Sequence, residues 1–573
     1  MIETGEFSLA LTGSGGKGVM HAGQVILNCA AEAGSHGIMR RSFGPQIRGG
    51  ESAAMLRLAD RPVHNMGDRL DLLVAFDWHN FDRLAAELPL APGALLIHDP
   101  HHGPPPESIT AQAPRRVELP LHELTREQRG RHANMIVVGL LARHLGLPLE
   151  QSVKCARHSV AHRGNRIAEE AADGVRRGFE LESGLTPQPL PLSQPPAKAT
   201  WMLSGNQATG LGALYGGLGF FAAYPITPST DIAEWMAREL PRTGGRFMQA
   251  EDELASTHLC LGASYGGVPA MTATSGPGLS LMMESLGMAV AAELPLVVVN
   301  VMRGGPSTGI PTKSEQADLD IAQHGLHGDA PHLVLAPNGI DDCLSTTRWA
   351  VELSEQLQTA AVVLSDQALG QTRAILPEPE LDPPRRDLRR RWDAETSPYR
   401  RYAPGGDGVS AMALPGTPGG QYVAESLVHD PAGRPSSAAR DHREQLDKRW
   451  QKLASHDFGK HWADIEGTGS LAIVTWGSLT PAAREARQMA ARNGIDVRLI
   501  SLRLLAPAQS RQMDKALEGV ETLLVVEQSH SGQFHRYLRA HFELPDNVRQ
   551  LHRPGPVPLR PGEIREALEG LAA

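Results

Sequence analysis

The sequence predicts an α/β protein of several domains, built on largely parallel sheets. Short apolar runs that are typical of buried strands alternate with helical stretches along most of the 573 residues. Turns rich in glycine and proline follow these runs, and the chain holds 59 Gly and 43 Pro, as expected where strands lead into helices. A chain of this length exceeds what one hydrophobic core can cover, so about three or four domains are expected.

Composition and charge exclude several classes of function. The formal net charge of -9 argues against a body that binds nucleic acid. No apolar run reaches the roughly 18 residues that a membrane helix needs, and the acidic start lacks the basic region of a signal peptide. We therefore expect a cytoplasmic protein that binds neither nucleic acid nor membrane.

The four cysteines, Cys29, Cys155, Cys260 and Cys343, are too scattered to build an iron–sulfur or zinc site from neighbouring thiolates. The sequence His-Asp-Pro-His-His at 98–102 follows a strand and precedes a Pro-rich loop, so we expect a solvated turn there. No metal site is predicted in this chain.

Near the amino terminus, a predicted strand at 7–12 leads into a glycine-rich loop and then a helix. The loop residues of interest are Gly13, Gly15, Gly16, Lys17 and Gly18. Such a loop lets a phosphate approach the N–H groups of the helix N-terminus. No acidic residue between Glu32 and Glu51 could hold an adenosine ribose, so a nicotinamide cofactor is not expected. The alternative is a loop that only tightens a subunit contact.

The middle of the chain repeats a strand–helix pattern. Strands are predicted at 220–224, 247–250, 270–274, 296–301, 333–336 and 361–364. The first of them ends in Tyr-Pro-Ile-Thr-Pro-Ser at 224–229, where two prolines hold the Thr227 hydroxyl in a rigid extended turn. Open α/β sheets bind ligands at such strand ends.

Three further motifs follow predicted strands in the same region. They are Gln-Ala-Glu-Asp-Glu at 249–253, Thr-Ala-Thr-Ser-Gly-Pro-Gly at 272–278 and Arg-Gly-Gly-Pro-Ser-Thr-Gly at 303–309. Together with the 224–229 turn they resemble the pyrimidine-binding domain of thiamine-diphosphate enzymes, in the form used by 2-oxoacid:ferredoxin oxidoreductases. The glycine loop, with Ser-Phe-Gly-Pro-Gln-Ile-Arg-Gly-Gly-Glu-Ser at 42–52, resembles the gamma domain of the same family.

We expect five parts: three domains that the resemblance implies, a Pro-rich linker and an irregular segment. They are a gamma-type domain at 1–184, the linker at 185–199, the pyrimidine-binding domain at 200–376, an extended interface segment at 377–466 and a transketolase C-terminal-like domain at 467–573. The last is expected to be a packing domain. Gly406-Asp407-Gly408 mimics the start of a magnesium-binding GDG…N motif, but no Asn follows before Asn493.

The resemblance also assigns roles to individual residues. Glu251 aligns with the carboxylate that activates the aminopyrimidine ring, with Glu253 as the alternative. Arg303 is expected to bind the substrate carboxylate with its planar guanidinium, and Lys313 to reach a second carboxylate. Thr227 and Thr312 take substrate-binding positions. Cofactor contacts are expected from Tyr224, Pro225, Ile226, Glu251, Ser275 and Gly276, and coenzyme A or phosphate contacts from the glycine loop and Arg48.

The implied function is that of the alpha subunit of a 2-oxoglutarate:ferredoxin oxidoreductase that forms succinyl-CoA reversibly. Thiamine diphosphate would be shared with a beta subunit that carries Mg²⁺ and a [4Fe-4S] cluster, in an α2β2 assembly that reduces ferredoxin. The alternatives are the same chemistry on pyruvate or branched-chain 2-oxoacids, and a non-catalytic nucleotide-binding assembly subunit.

Overall fold

The computed structural model describes residues 5–44, 46, 49–126, 133–182, 184–190, 200–385, 387–393 and 398–572. The chain divides into two compact units. The first unit comprises Met1–Leu203 and Thr372–Pro379, and the second comprises Ser204–Gln371 and Glu380–Ala573. The domain ranges drawn from the sequence are finer than this division and stay a prediction. No described helix is both long and apolar enough to cross a membrane.

The helices and strands follow one another in a largely alternating order. Up to residue 204 they are β1 (Glu6–Ser14), α1 (Val19–Glu32), β2 (His36–Phe43), β3 (Glu51–Ala59), β4 (Leu70–Ala75), β5 (Leu90–His98), α2 (Glu107–Thr110), β6 (Arg115–Glu118), α3 (Leu121–Arg126), α4 (Ala133–His144), α5 (Leu149–Val160), α6 (Asn165–Glu180) and β7 (Thr200–Ser204). From 205 to 377 they are α7 (Gly205–Tyr215), β8 (Phe220–Ala223), α8 (Thr230–Glu239), β9 (Arg246–Gln249), α9 (Glu253–Tyr265), β10 (Ala270–Thr274), α10 (Gly276–Ala291), β11 (Leu296–Met302), α11 (Leu319–His324), β12 (Leu333–Leu335), α12 (Asp342–Leu357), β13 (Ala360–Asp366), α13 (Gln367–Gln371) and β14 (Arg373–Pro377). Beyond these lie α14 (Ala439–Ala454), β15 (Ala463–Glu466), β16 (Leu471–Trp476), α15 (Thr480–Arg492), β17 (Val497–Leu502), β18 (Leu504–Ala506), α16 (Ser510–Leu517), β19 (Thr522–Glu527), α17 (Gln533–His541), β20 (Asn547–His552) and α18 (Pro561–Ala572).

The first unit is built on an eight-stranded mixed sheet with the order β6-β5-β4-β1-β3-β2-β14-β7. Strands β1, β4, β5 and β6 run parallel, whereas β3, β2 and β14 pair antiparallel with their neighbours. Helix α4 packs so closely on α6 that a Cβ placed on Gly139 would lie only 2.0 Å from the Val175 backbone oxygen. The glycine loop lies at the carboxyl end of β1, directly before α1.

The second unit contains a seven-stranded sheet and a five-stranded sheet. The larger has the order β18-β12-β13-β11-β10-β8-β9, and all of its strands except β18 run parallel. The smaller has the order β15-β17-β16-β19-β20. Because β8 to β11 are parallel, the turns that follow them meet at one edge of the sheet, as the four middle motifs require.

A buried ion cluster attaches the irregular segment to the sheet layer of the second unit. Glu293, in the turn between α10 and β11, is fully buried, and its carboxylate accepts hydrogen bonds from Lys448 at 2.5 Å and Lys452 at 2.9 Å. Arg401 donates to the Glu293 backbone oxygen at 2.8 Å. The cations lower the pKa of Glu293 against the opposing effect of burial. Burial lowers the pKa of Lys448 to about 7. Removing one partner of such a pair leaves a buried charge uncompensated.

Two expectations from the sequence are corrected here. The stretch 377–466 was expected to lack regular structure, but it contains the 16-residue helix α14. The 98–102 turn was expected to be solvated; His101 is exposed, but His98 ends β5 and is 4% exposed. Burial lowers the pKa of His98.

Asp407 of the Gly-Asp-Gly sequence at 406–408 forms an ion pair with Arg390. Two hydrogen bonds, of 3.0 and 2.6 Å, join the side chains and lower the pKa of Asp407 to about 2.

Candidate active site

The ends of β8 and β9 bring two predicted motifs together. The Ala250 N–H donates to the Ala223 oxygen at 3.0 Å, so Tyr224 and Glu251 begin neighbouring turns. Tyr224, Pro225 and Glu251 are exposed, and Ile226 is partly buried. Asp252 caps α9 by accepting from the Ala255 N–H at 2.7 Å. Glu251 is therefore an exposed carboxylate at the strand edge, whereas Asp252 caps the helix that follows.

Glu253 is buried instead of solvated. It is the first residue of α9 and 7% exposed, and its side chain approaches the first turn of α10. A Cβ placed on Gly278 would lie 2.8 Å from Glu253 Oε1 and 2.0 Å from Thr274 Oγ1. The glycine at 278 is required by this close packing.

Arg303 lies at the end of β11 and contacts the turn after β8. Its Nη1 donates a 2.6 Å hydrogen bond to the Thr227 backbone oxygen. The side chain is 7% exposed, and its Nε has no hydrogen-bond partner among the described residues. Burial lowers the Arg303 pKa, and nearby Asp318 opposes that shift. Since an unpaired buried guanidinium N–H costs free energy, it is suited to a further anionic partner.

A group of polar residues that the sequence analysis missed surrounds Arg303. Asn300 Nδ2 donates to Asp318 Oδ2 at 2.8 Å, and a Cβ on Gly276 would lie 3.0 Å from the same oxygen. Burial raises the pKa of Asp318 and that of Glu315, and Asp318 raises the Glu315 value further. Asn300 could have been identified from the sequence as a candidate site residue, because it is a single amide inside the otherwise apolar run of β11.

The loop after Arg303 folds back on itself. Ile310 N–H donates to the Gly304 oxygen at 2.8 Å, and Gly304 N–H to the Lys313 oxygen at 3.0 Å. Thr312 and Lys313 are 5% and 8% exposed, and Thr312 Oγ1 has no hydrogen-bond partner in the described part of the chain. The structure thus brings both residues to the same strand end as Arg303.

The N-terminus of α10 completes this edge. Ser275 precedes the helix, makes no side-chain cap, and its buried Oγ is unpartnered among the described residues. Gly276 and Pro277 open the first turn, whose N–H groups carry partial positive charge. Ser275 and Gly276 therefore offer donors to an anionic or polar ligand at this edge.

A separate cavity in the first unit contains the glycine loop. Its volume is about 1030 Å³, within the size range of small-molecule and cofactor sites. Gly15, Gly16, Lys17 and Gly18 line it, as does Arg163 from the turn after α5. Gly13 lies in β1, and Arg48 lies outside the described residues.

The cavity wall is polar and well ordered by hydrogen bonds. Gly15 N–H donates to the Gly50 oxygen at 2.7 Å, which ties the glycine loop to the Arg-Gly-Gly segment. His21 Nε2 and Ser159 Oγ are 2.9 Å apart. Burial, followed by Arg163 and His162, lowers the His21 pKa. Lys17 and Arg163 thus remain as cationic groups that suit an anionic ligand.

Comparison with known proteins identifies the family. The chain is 30% identical to the 2-oxoacid:ferredoxin oxidoreductase 2, subunit alpha, of Aeropyrum pernix, over 95% of this chain and 94% of the relative. This chain belongs to the 2-oxoacid:ferredoxin oxidoreductase family. It is also 35% identical to the 2-oxoglutarate synthase subunit KorA of Methanothermobacter marburgensis, covering 65% of this chain and 99% of that protein.

Domain matches and a solved structure agree with membership of the 2-oxoacid:ferredoxin oxidoreductase family. Residues 8–181 match "Pyruvate ferredoxin/flavodoxin oxidoreductase", 211–448 match "Pyruvate flavodoxin/ferredoxin oxidoreductase, thiamine diP-bdg", and 462–542 match "Transketolase, C-terminal domain". The 2-oxoglutarate:ferredoxin oxidoreductase from Magnetococcus marinus, solved with 2-oxoglutarate, coenzyme A and succinyl-CoA bound, superposes with a TM-score of 0.91. It is 33% identical and covers 99% of this chain and 100% of its own.

These findings confirm the predicted fold class, the predicted family and the fused gamma–alpha architecture. They also confirm that the chain is the alpha subunit of such an oxidoreductase, and its relatives are named as subunits of larger enzymes. The roles of the individual site residues are not tested by these matches and stay predictions.

Proposed function

We propose that this chain binds 2-oxoglutarate and coenzyme A, and serves an oxidoreductase that forms succinyl-CoA and CO₂ while reducing ferredoxin, reversibly. The observation that carries the proposal is the buried Arg303 at the carboxyl end of β11, bonded to Thr227, with Thr312 and Lys313 in the loop that folds back onto the next residue, Gly304. Two cationic side chains at one strand edge suit a substrate with two carboxylates. The solved relative with 2-oxoglutarate bound supports the same substrate.

The residues at this edge fit thiamine diphosphate. When bound, that cofactor supplies the carbon nucleophile and the electron sink for decarboxylation. Glu251 would hold and move a proton at the aminopyrimidine ring, and it stands exposed at the strand edge. The unpartnered Ser275 Oγ and the first turn of α10 would orient the ring.

Exposed apolar side chains close to Glu251 on β9, on α9 and after β8 support a covering partner subunit. Tyr224, Met248 and Leu254 are 40 to 45% exposed, although they lie next to the predicted catalytic carboxylate along the chain or on the adjoining strand end. Exposed apolar surface beside a site marks an interaction surface. We place the beta subunit there, with the diphosphate-binding domain, Mg²⁺ and the [4Fe-4S] cluster, in an α2β2 assembly in the cytoplasm.

We assign coenzyme A to the cavity of the first unit. The glycine loop offers backbone N–H groups at the start of α1, and Lys17 and Arg163 supply positive charge for phosphates. His21 and Ser159 add polar groups to the lining of the same cavity. A cavity with these donors suits a ligand that carries several phosphates and a long neutral arm.

The test uses the complex of this chain with its beta subunit and a viologen acceptor. Initial rates on 2-oxoglutarate, pyruvate and a branched-chain 2-oxoacid should show the highest kcat/KM for 2-oxoglutarate. Lys313→Met should lower kcat/KM for 2-oxoglutarate much more than for pyruvate, because only 2-oxoglutarate has the distal carboxylate. Activity on pyruvate is the control for folding. Equal loss on both substrates would contradict the role of Lys313, and preference for pyruvate in the unmodified chain would contradict the proposed substrate.

A further inference from the structure

Two of the four cysteines meet in the first unit, although they are distant in sequence. Cys29 lies in α1 and Cys155 in α5, and contacts between these two helices lie on either side of the cysteines: His21 Nε2 is 2.9 Å from Ser159 Oγ, and Lys154 Nζ is 3.7 Å from Glu32 Oε2. They are 1% and 7% exposed. Cys260 differs, because its Sγ contacts the Met271 backbone oxygen at 3.2 Å. The fold therefore brings one specific pair of thiols within reach of each other.

Cys155 lines a small cavity, and Cys29 is not among the described residues that line it. The cavity measures about 530 Å³, and Cys155, Lys154, His158 and Met202 contribute to its lining. The Cys29 thiol donates to Cys155 and so lowers the Cys155 pKa, while the same bond and burial raise that of Cys29. Since the thiolate is the nucleophile, Cys155 is suited to attack and Cys29 to resolve.

We propose that Cys29 and Cys155 form a reversible dithiol–disulfide couple that links α1 to α5. The oxidant is a low-molecular-weight disulfide. The Cys155 thiolate attacks one of its sulfurs, forming a mixed disulfide and releasing one thiol. The Cys29 thiolate then attacks Cys155 Sγ, forming the intramolecular disulfide and releasing the second thiol. The two protein thiols lose two protons and two electrons, which reduce the oxidant to two thiols.

Formation of this disulfide changes the wall of the cavity that contains the glycine loop. Disulfide sulfurs are about 2.0 Å apart, closer than two unbonded thiols can approach, so oxidation draws α1 towards α5. The same two helices carry His21 and Ser159, whose side-chain atoms are 2.9 Å apart in the cavity wall. This consequence rests on the proposed binding of coenzyme A in that cavity.

The couple is tested by equilibrating the purified full-length chain in mixtures of reduced and oxidised glutathione, followed by acid quenching, alkylation and peptide mass spectrometry. Oxidising mixtures should join the peptides that contain Cys29 and Cys155, and dithiothreitol should separate them. Cys260→Ser is the matched control and should leave the link unchanged. Cys29→Ser should stop at a mixed disulfide on Cys155. Separate alkylation of both thiols at every ratio, or a mixed disulfide without the link, would overturn the proposal.

Calorimetric titration with coenzyme A tests the coupling to the cavity. The disulfide form should bind about 5- to 150-fold more weakly than the reduced form, the usual range for coupled sites. Cys155→Ser should bind equally well under both conditions. An unchanged Kd in the cross-linked chain would overturn the coupling. Absence of binding in both forms would instead contradict the coenzyme A assignment, and the mass-spectrometric result would still decide the disulfide.

Discussion

Replacing Arg303 with lysine tests the carboxylate site at the level of one functional group. Arg303 is 7% exposed, and its Nη1 donates a 2.6 Å hydrogen bond to the Thr227 oxygen. The lysine ammonium is a point charge and cannot replace the planar guanidinium of arginine, so one of the two parallel hydrogen bonds to the substrate carboxylate is lost. A hydrogen bond to a charged group contributes about 1.5–3 kcal/mol. At about 1.4 kcal/mol per tenfold, kcat/KM for 2-oxoglutarate should fall roughly 10- to 150-fold.

The assay is steady-state viologen reduction by the complex with the beta subunit. Arg390→Lys is the matched control, because Arg390 and Asp407 form a pair whose side chains are 49% and 48% exposed. Such surface pairs contribute little to stability, so the control should keep its activity. A kcat/KM for Arg303→Lys within about twofold of the unmodified enzyme, together with an unchanged value for Thr227→Val, would refute the proposed site.

Three further predictions follow from the same structure. Glu251→Gln should keep the fold and lower the decarboxylation rate by about 10²–10⁴, measured as single-turnover CO₂ release; near-full activity would exclude Glu251 as the acid–base group. In the folded chain Lys448 has a pKa of about 7, against 10.5 for the free side chain. Between these two pH values the unfolded chain binds more protons than the folded chain, so the free energy of unfolding rises with pH. The urea midpoint should therefore rise between about pH 7.5 and about pH 9.5, and it should rise less in Lys448→Met. An equal rise in the variant and the unmodified chain would contradict the burial of this charge beside Glu293. Gly278→Ala should lower the urea midpoint, because the new Cβ would lie 2.0 Å from Thr274 Oγ1. The control is Gly262→Ala in α9, which should leave the midpoint unchanged because a Cβ there meets open space. Equal midpoints for the two variants would argue against the close packing of α10.

The strand edge that carries the site could be predicted from sequence because its parts are local. Each of the four motifs lies at or directly after the end of a predicted strand, and a parallel sheet brings such turns together whatever the details of packing. The strands predicted at 270–274 and 296–301 appear as Ala270–Thr274 and Leu296–Met302. The Thr227–Arg303 contact follows from that geometry.

Features that depend on distant partners could not be predicted. Helix α14 is rich in charged residues, and it buries Lys448 and Lys452 against Glu293, which hydropathy cannot reveal. Strand β2 contains Arg40, Arg41 and Ser42, so it lacks the apolar run of a buried strand, yet it pairs with β3 inside the first sheet. Asp318 and Glu315 became site residues only through their tertiary contacts.

The position of β14 has a consequence for synthesis of the chain. Residues Arg373–Pro377 pair with β2 in the first sheet, yet they are made only after almost all of the pyrimidine-binding region. At ribosomal speeds of about 5–20 residues per second, β2 would keep an open edge on the order of ten seconds or longer. An unpaired edge of this kind is a template for wrong pairing. Binding by a ribosome-associated chaperone during this interval would protect the nascent sheet until its last strands arrive.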